Sequence, residues 1–124
     1  MTPTPTQLAY LASQRLGRLA TVNPTTGMPQ NSPVAFTYNE TTDTIDIGGY
    51  AMGTTRKFAN VEATGKAALV IDDIASYDPW EVRGIEIRGH AEALRDVEPS
   101  SAYMSREIIR IHPTKIIAWG LSDT

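Results

Sequence analysis

The chain has 124 residues, a formal charge of −3 at pH 7 and a sequence pI near 5.3, with 41% hydrophobic and 20% charged residues. That composition suits one globular domain with its own core and excludes a globally basic surface of the kind that recruits nucleic acid. Without cysteine there are no disulfides, thiolate nucleophiles or cysteine-ligated metals, His90 and His112 are too few for a metal site, and no apolar run is long enough to span a bilayer.

Residues 1–5 read as a flexible Thr/Pro tail on a single domain covering 1–124. No signal-peptide core follows them, so a cytoplasmic protein is expected. Thr4-Pro5-Thr6-Gln7 forms a capping box with proline at the first helical position. Leu8, Leu11, Ala12 and Leu16 follow at helical spacing, which predicts an amphipathic helix over 5–16, stopped by Gly17. Segments 18–23 and 28–38 then read as a hairpin across the turn 24–27. Pro29 and Pro33 cannot donate to a ladder, so the second strand is expected at an edge, bulged or partly open.

The chain is organised around residues 45–60, IDIGGYAMGTTRKFAN. Ile45 and Ile47 alternate into Gly48-Gly49, a small-residue turn carries Thr54 and Thr55, and Arg56-Lys57 open a helix whose Phe58 and Val61 share a face. Unpaired amides and the dipole at a helix start favour an anion, and two side-chain cations add charge-assisted hydrogen bonds. A cofactor phosphate is the expected anion. An ordinary threonine cap followed by solvated cations is the other reading of the same residues. The glycines match neither a dinucleotide-binding fingerprint nor a Walker loop.

Thr64-Gly65 should end that helix, and 67–71 (AALVI) reads as a strand buried on both faces. Residues 72–81 read as a loop holding Trp80, and 82–94 as a long strand with a bulge at Gly84. A short helix is expected over 96–106, then a last strand broken at His112-Pro113, with Trp119 at its end. The total is six strands and two or three short helices, a mainly β, largely antiparallel small barrel. No nucleophile–base pair stands out, so any chemistry is expected to belong to a bound cofactor. Tyr50 and solvent are both open as proton donors. Trp80 could cover a flat ring, meet a subunit interface or plug a barrel end, whereas Trp119, alternating with Ile117, reads as core or as part of an interface.

Several stretches together resemble the pyridoxamine 5′-phosphate oxidase-like flavin and deazaflavin proteins, in the branch that uses coenzyme F420. They are LGRLATVN (16–23), PQNSPVAF (29–36), IDIGGY (45–50), TTRKFANV (54–61), AALVIDD (67–73), DPWEVRGIEIRGHAEAL (78–94) and IIRIHPTKIIAWG (108–120). The resemblance implies a six-stranded antiparallel split β-barrel that forms a homodimer, with cofactors in grooves at the subunit interface. It implies that Lys57, in a K-x-x-N motif with Asn60, meets the cofactor phosphate, that Thr55 and Arg56 are its neighbours, and that all four belong to the cofactor site. It also implies that Asn31, Ser32, Pro33 and Val34 line the ring, that Gly48, Gly49 and Tyr50 lie against it, and that Trp80 and Trp119 complete the site from the partner subunit. The function implied is hydride transfer from reduced F420 to an electron-poor C=C or C=N bond of a small molecule. An FMN-dependent oxidoreductase and a non-catalytic F420 or flavin carrier are the alternatives.

Overall fold

Alternating apolar positions assemble one antiparallel sheet. In the computed structural model, which describes residues 1–122, the chain runs α1 (Pro5–Ser13), β1 (Gly17–Val22), β2 (Pro29–Val34), β3 (Thr37–Asn39), β4 (Thr44–Ile47), α2 (Arg56–Thr64), β5 (Lys66–Tyr77), β6 (Trp80–Leu94) and β7 (Ile108–Trp119). A turn of 3-10 helix, Met52–Thr54, precedes α2.

The strands lie in the order β2-β1-β5-β6-β7-β4-β3. Its two edges, β2 and β3, are consecutive in the chain and are separated only by Ala35 and Phe36. A link that short reaches about 10 Å, so the sheet has to curl until its edges face each other. No ladder joins those edges, which leaves a barrel split along that seam. As its prolines require, β2 pairs on one side only, with β1.

Inward-facing Leu19, Ile45, Ile47, Leu69, Ile71, Ile85, Ile87, Ile109 and Ile111 are essentially inaccessible and form the core. Each such side chain contributes about 1.5–3 kcal/mol on burial. Helix α2 adds Phe58 and Val61 to that core, and α1 adds Tyr10 and Leu11. At the amino terminus, the Met1 amino group donates to the Pro113 carbonyl at 3.2 Å, Thr2 donates to Asp43 at 2.5 Å, and Pro3 is buried.

Five local expectations change. Helix α1 stops at Ser13 because Gln14 turns extended, so Gly17 opens β1 rather than ending the helix. The strand expected over 28–38 breaks at Ala35-Phe36, which raises the count from six strands to seven. Residues 72–81 are not a loop: β5 and β6 continue as a hairpin through Ile74–Val82 and Tyr77–Trp80 pairs, with the bulge at Ala75 and not at Gly84. No helix forms over 96–106, because the Val97 N–H donates to the Arg106 carbonyl and the Ser105 N–H to the Gly49 carbonyl, outside any helical ladder. Finally, β7 runs unbroken through His112-Pro113, since Pro113 sits opposite Gly89 at a shift of register.

Candidate functional site

The split seam and the start of α2 lie side by side. Thr55 caps α2 in an extended conformation: its hydroxyl accepts from the Phe58 N–H at 3.3 Å and donates to the Met52 carbonyl at 2.7 Å. Those bonds leave the Arg56 and Lys57 amides at the open end of the helix, where the dipole favours an anion. Among the described residues their side chains carry no ion pair, whereas Arg18, Arg83, Arg88, Arg95, Arg106 and Arg110 each hold a carboxylate.

Beside that helix start runs a groove of about 410 Å³. Pro33, Val34 and Ala35 form one wall and the 48–52 turn forms the other, with Thr54, Thr55 and half-buried Lys57 at one end. The turn is held by the 95–107 strap between β6 and β7. The Ser105 N–H donates to the Gly49 carbonyl at 2.8 Å, the Met52 N–H donates to Ser105 Oγ at 3.1 Å, and the Gly53 N–H donates to Glu107 Oε1 at 3.2 Å. A Cβ at Gly53 would lie 2.6 Å from that carboxylate oxygen, so a larger residue there would make the Glu107 side chain shift. From the strap, Met104 enters the groove wall.

Of the residues expected from sequence, Pro33, Val34, Gly48, Gly49, Tyr50, Thr55 and Lys57 meet in this groove. Tyr50 is 81% exposed, so its phenol is open to an incoming molecule. Asn31 and Ser32 lie further along β2 and do not line the groove, and neither does exposed Arg56. Asn60 is fully buried one turn beyond Lys57; its amide donates to Thr21 Oγ1 at 3.1 Å and to Gln30 Oε1 at 3.3 Å, tying α2 to β1 and β2. Trp80 stands 64% exposed near the β5–β6 hairpin tip, edge-on to Tyr77, and Trp119 lies opposite Gly84 on β7. Neither tryptophan reaches the groove of its own chain.

Sequence reasoning missed Met104, Ser105 and Glu107. Met104 and Ser105 lie in the 96–106 segment with helical composition and Glu107 follows it directly, and the local signal there was Pro99 near its start.

Residues 3–120 match the family described as pyridoxamine 5′-phosphate oxidase. The chain belongs to this family. Among curated relatives it is 44% identical over 119 residues to a 5a,11a-dehydrotetracycline/5a,11a-dehydrooxytetracycline reductase of Streptomyces rimosus, covering 93% of this chain and 81% of that protein. Among solved structures it is similar to a conserved hypothetical protein of Mycobacterium tuberculosis, with a TM-score of 0.72 at 19% identity, covering 97% of this chain and 86% of the other. An FAD-binding protein of Mycobacterium smegmatis gives a TM-score of 0.68 at 21% identity, with 95% and 96% covered. As a pyridoxamine 5′-phosphate oxidase family member, the chain has the expected mainly β, antiparallel split-barrel fold. Among the described residues, no helix is long and apolar enough to cross a membrane.

Proposed function

We propose that the chain is an F420-dependent oxidoreductase that reduces an electron-poor C=C or C=N bond of a small molecule. The observation that carries this reading is the groove itself. An apolar wall of ring-facing size ends at a helix start whose two cations have no partner within the described chain. Reductase activity in the 44%-identical Streptomyces rimosus relative supports the reaction class.

The residues present fit such a cofactor. Lys57, Arg56 and the first amides of α2 would hold its phosphate. Pro33, Val34, Gly48 and Gly49 would face its ring, and Asn31 and Ser32 lie on the same edge strand. Bound F420 supplies the hydride; the chain orients the ring and excludes water. The exposed Tyr50 phenol is placed to hold a proton for the acceptor.

A homodimer is part of this proposal. Ile74, Tyr77, Trp80, Val82 and Ile117 are apolar side chains left exposed on β5, β6 and β7, a surface suited to a second copy. In that dimer Trp80 and Trp119 would complete the partner's groove. Asn60 acts behind the site, holding α2 to the strand pair that carries Pro33.

One observation favours FMN as a second reading. F420 carries an acidic tail, yet Arg18 is paired with Asp72 and Arg15 lines a different groove, between α1 and β3. Anaerobic mixing with reduced F420 and 5a,11a-dehydrotetracycline, beside a panel of simple enones, tests the main reading. Reoxidation of F420 with stoichiometric product is expected. A yellow protein as purified, with FMN released on denaturation and no F420 turnover, would move the assignment to FMN.

A further inference from the structure

A second, smaller chamber of about 170 Å³ adjoins the groove. The two cavities share Ala35, Gly48 and Met104 as a common wall. Met104 lies so close to the turn that a Cβ at Gly48 would sit 3.2 Å from its Cε. The far side of the chamber is formed by Phe36, Asp46 and Ile108, and the strap supplies Glu98 and Ser100.

Its volume is close to that of an apolar cavity known to hold one benzene ring, about 150 Å³. No lysine or arginine lines it. The Asp46 carboxylate is already saturated. It accepts from Arg110 Nε at 3.0 Å and Nη2 at 3.0 Å, from Thr44 at 2.9 Å and from Asn39 at 3.0 Å. Burial opposes its charge, but these bonds prevail and hold its pKa below the usual carboxylate range. Asp46 is therefore a fixed negative wall, compensated by Arg110, and not a ligand in waiting. The side-chain polar groups that remain for a guest are the Thr37 and Ser100 hydroxyls and the Glu98 carboxylate, whose side chain is 90% exposed and only loosely paired with Arg106, at 3.9 Å. The cationic end of the site lies across the groove at Lys57, so the two ends differ in charge.

We infer that this chamber is the substrate subsite: it takes an uncharged or cationic, ring-sized end of the hydride acceptor, excludes an anionic one, and is divided from the cofactor groove by Met104. The inference rests on the proposed oxidoreductase reading. Ser100 and Met104 are then the residues that set which ring is accepted.

Methyl-13C-methionine NMR on the full chain tests this, with phenol, benzylamine and benzoate as probes, with and without saturating F420. Met104 borders both the chamber and the groove whereas Met52 borders only the groove, so a shift at Met104 without one at Met52 reports a guest in the chamber. Phenol and benzylamine should shift the Met104 methyl saturably and leave Met52 in place, in the free and the loaded protein alike. Benzoate should bind at least about ten-fold more weakly, because it meets like charge at Glu98, which Arg106 balances only loosely at 3.9 Å. Ser100→Trp, on an exposed strap residue outside the groove, should abolish the phenol shift while F420 affinity stays the same. Glu98→Lys should let benzoate in and keeps the test available if the tryptophan variant misfolds. A Met104 signal unmoved by all three probes, a Met52 signal that moves with it, or equal binding of benzoate and benzylamine would each overturn the inference. Failure of wild-type protein to bind F420 or FMN, with the phenol shift intact, would instead sink the cofactor reading and with it the substrate role, leaving only a ring-binding chamber.

Discussion

Among the described residues, helix α1 begins at Thr4 with one amide, that of Thr6, left over and no cation beside it, whereas α2 begins at Thr55 with two amides and two cations left over. At α1 the Gln7 N–H donates to Thr4 Oγ1 at 3.2 Å, the Thr4 N–H donates to Gln7 Oε1 at 2.9 Å, and Pro5 has no N–H to satisfy. At α2 only the Phe58 N–H is capped by a side chain, and Arg56-Lys57 stand where the dipole already repels cations. Two positive side chains at a positive helix end cost stability unless an anion joins them. The same local motif, a threonine cap on a nine-residue helix, thus ends without a cation in one place and with two in the other, the end proposed to take the cofactor.

Reversing the charge at α2 should break this contrast most severely. Lys57→Glu should cut affinity for F420 or FMN more than about 100-fold, over roughly 3 kcal/mol, with the unfolding midpoint unchanged or raised. Calorimetric titration checks the affinity, and a variant that binds like wild type would place the anion elsewhere. Asn60→Ala acts on the body of the same helix instead. It leaves Thr21 and Gln30 without their donor and should cost about 2 kcal/mol in urea unfolding. A stability loss at Asn60 matched by none at Lys57 would separate the helix that is held from the end that is left open.

Much of this contrast was legible in the sequence. The capping box, the Thr55 cap, the Gly65 stop and the proline-marked edge strand are local features, decided by residues within four positions of one another. Groove residues on the 48–57 segment were legible for the same reason. What escaped was long-range. The 72–81 stretch is rich in aspartate and proline and reads as a loop, yet pairing of Ile74 with Val82 and Tyr77 with Trp80 keeps it in the sheet. The 96–106 stretch has helical composition, but its backbone is used by Gly49 and by its own ends. Met104, Ser105 and Glu107 reach the site through that strap, some fifty residues from the turn they hold in place. Asn60 carried the right motif spacing, but its amide turns into the barrel and supports the site from behind.

Smaller effects should mirror the first. Thr4→Ala removes the closed cap and should cost about 1 kcal/mol of stability, with cofactor affinity unaltered. A drop in affinity there would blur the distinction between the two ends. Smallest near neutrality is the pH dependence of the ion pairs that hold the barrel. Hydrogen bonds from Arg83, Tyr10 and Gln14 hold Asp73 below its ordinary pKa, as those from Arg110 do for Asp46. A carboxylate depressed in the folded state stabilises above its unfolded pKa, about 3.9, and loses that contribution as pH falls through the lower folded value. Urea midpoints should therefore be flat from about pH 7 to 5 and decline below about pH 4, with a shallower decline in Asp46→Asn.

The central claim is that α2 starts as an anion site for a cofactor. The most direct test is calorimetric titration of wild type, Lys57→Ala and Thr4→Ala with F420 and, separately, with FMN. One cofactor should bind tightly, Lys57→Ala should weaken it roughly 10- to 150-fold, and Thr4→Ala should leave it within experimental scatter. Equal affinity in wild type and Lys57→Ala, or no binding of either cofactor to wild type, would contradict the claim.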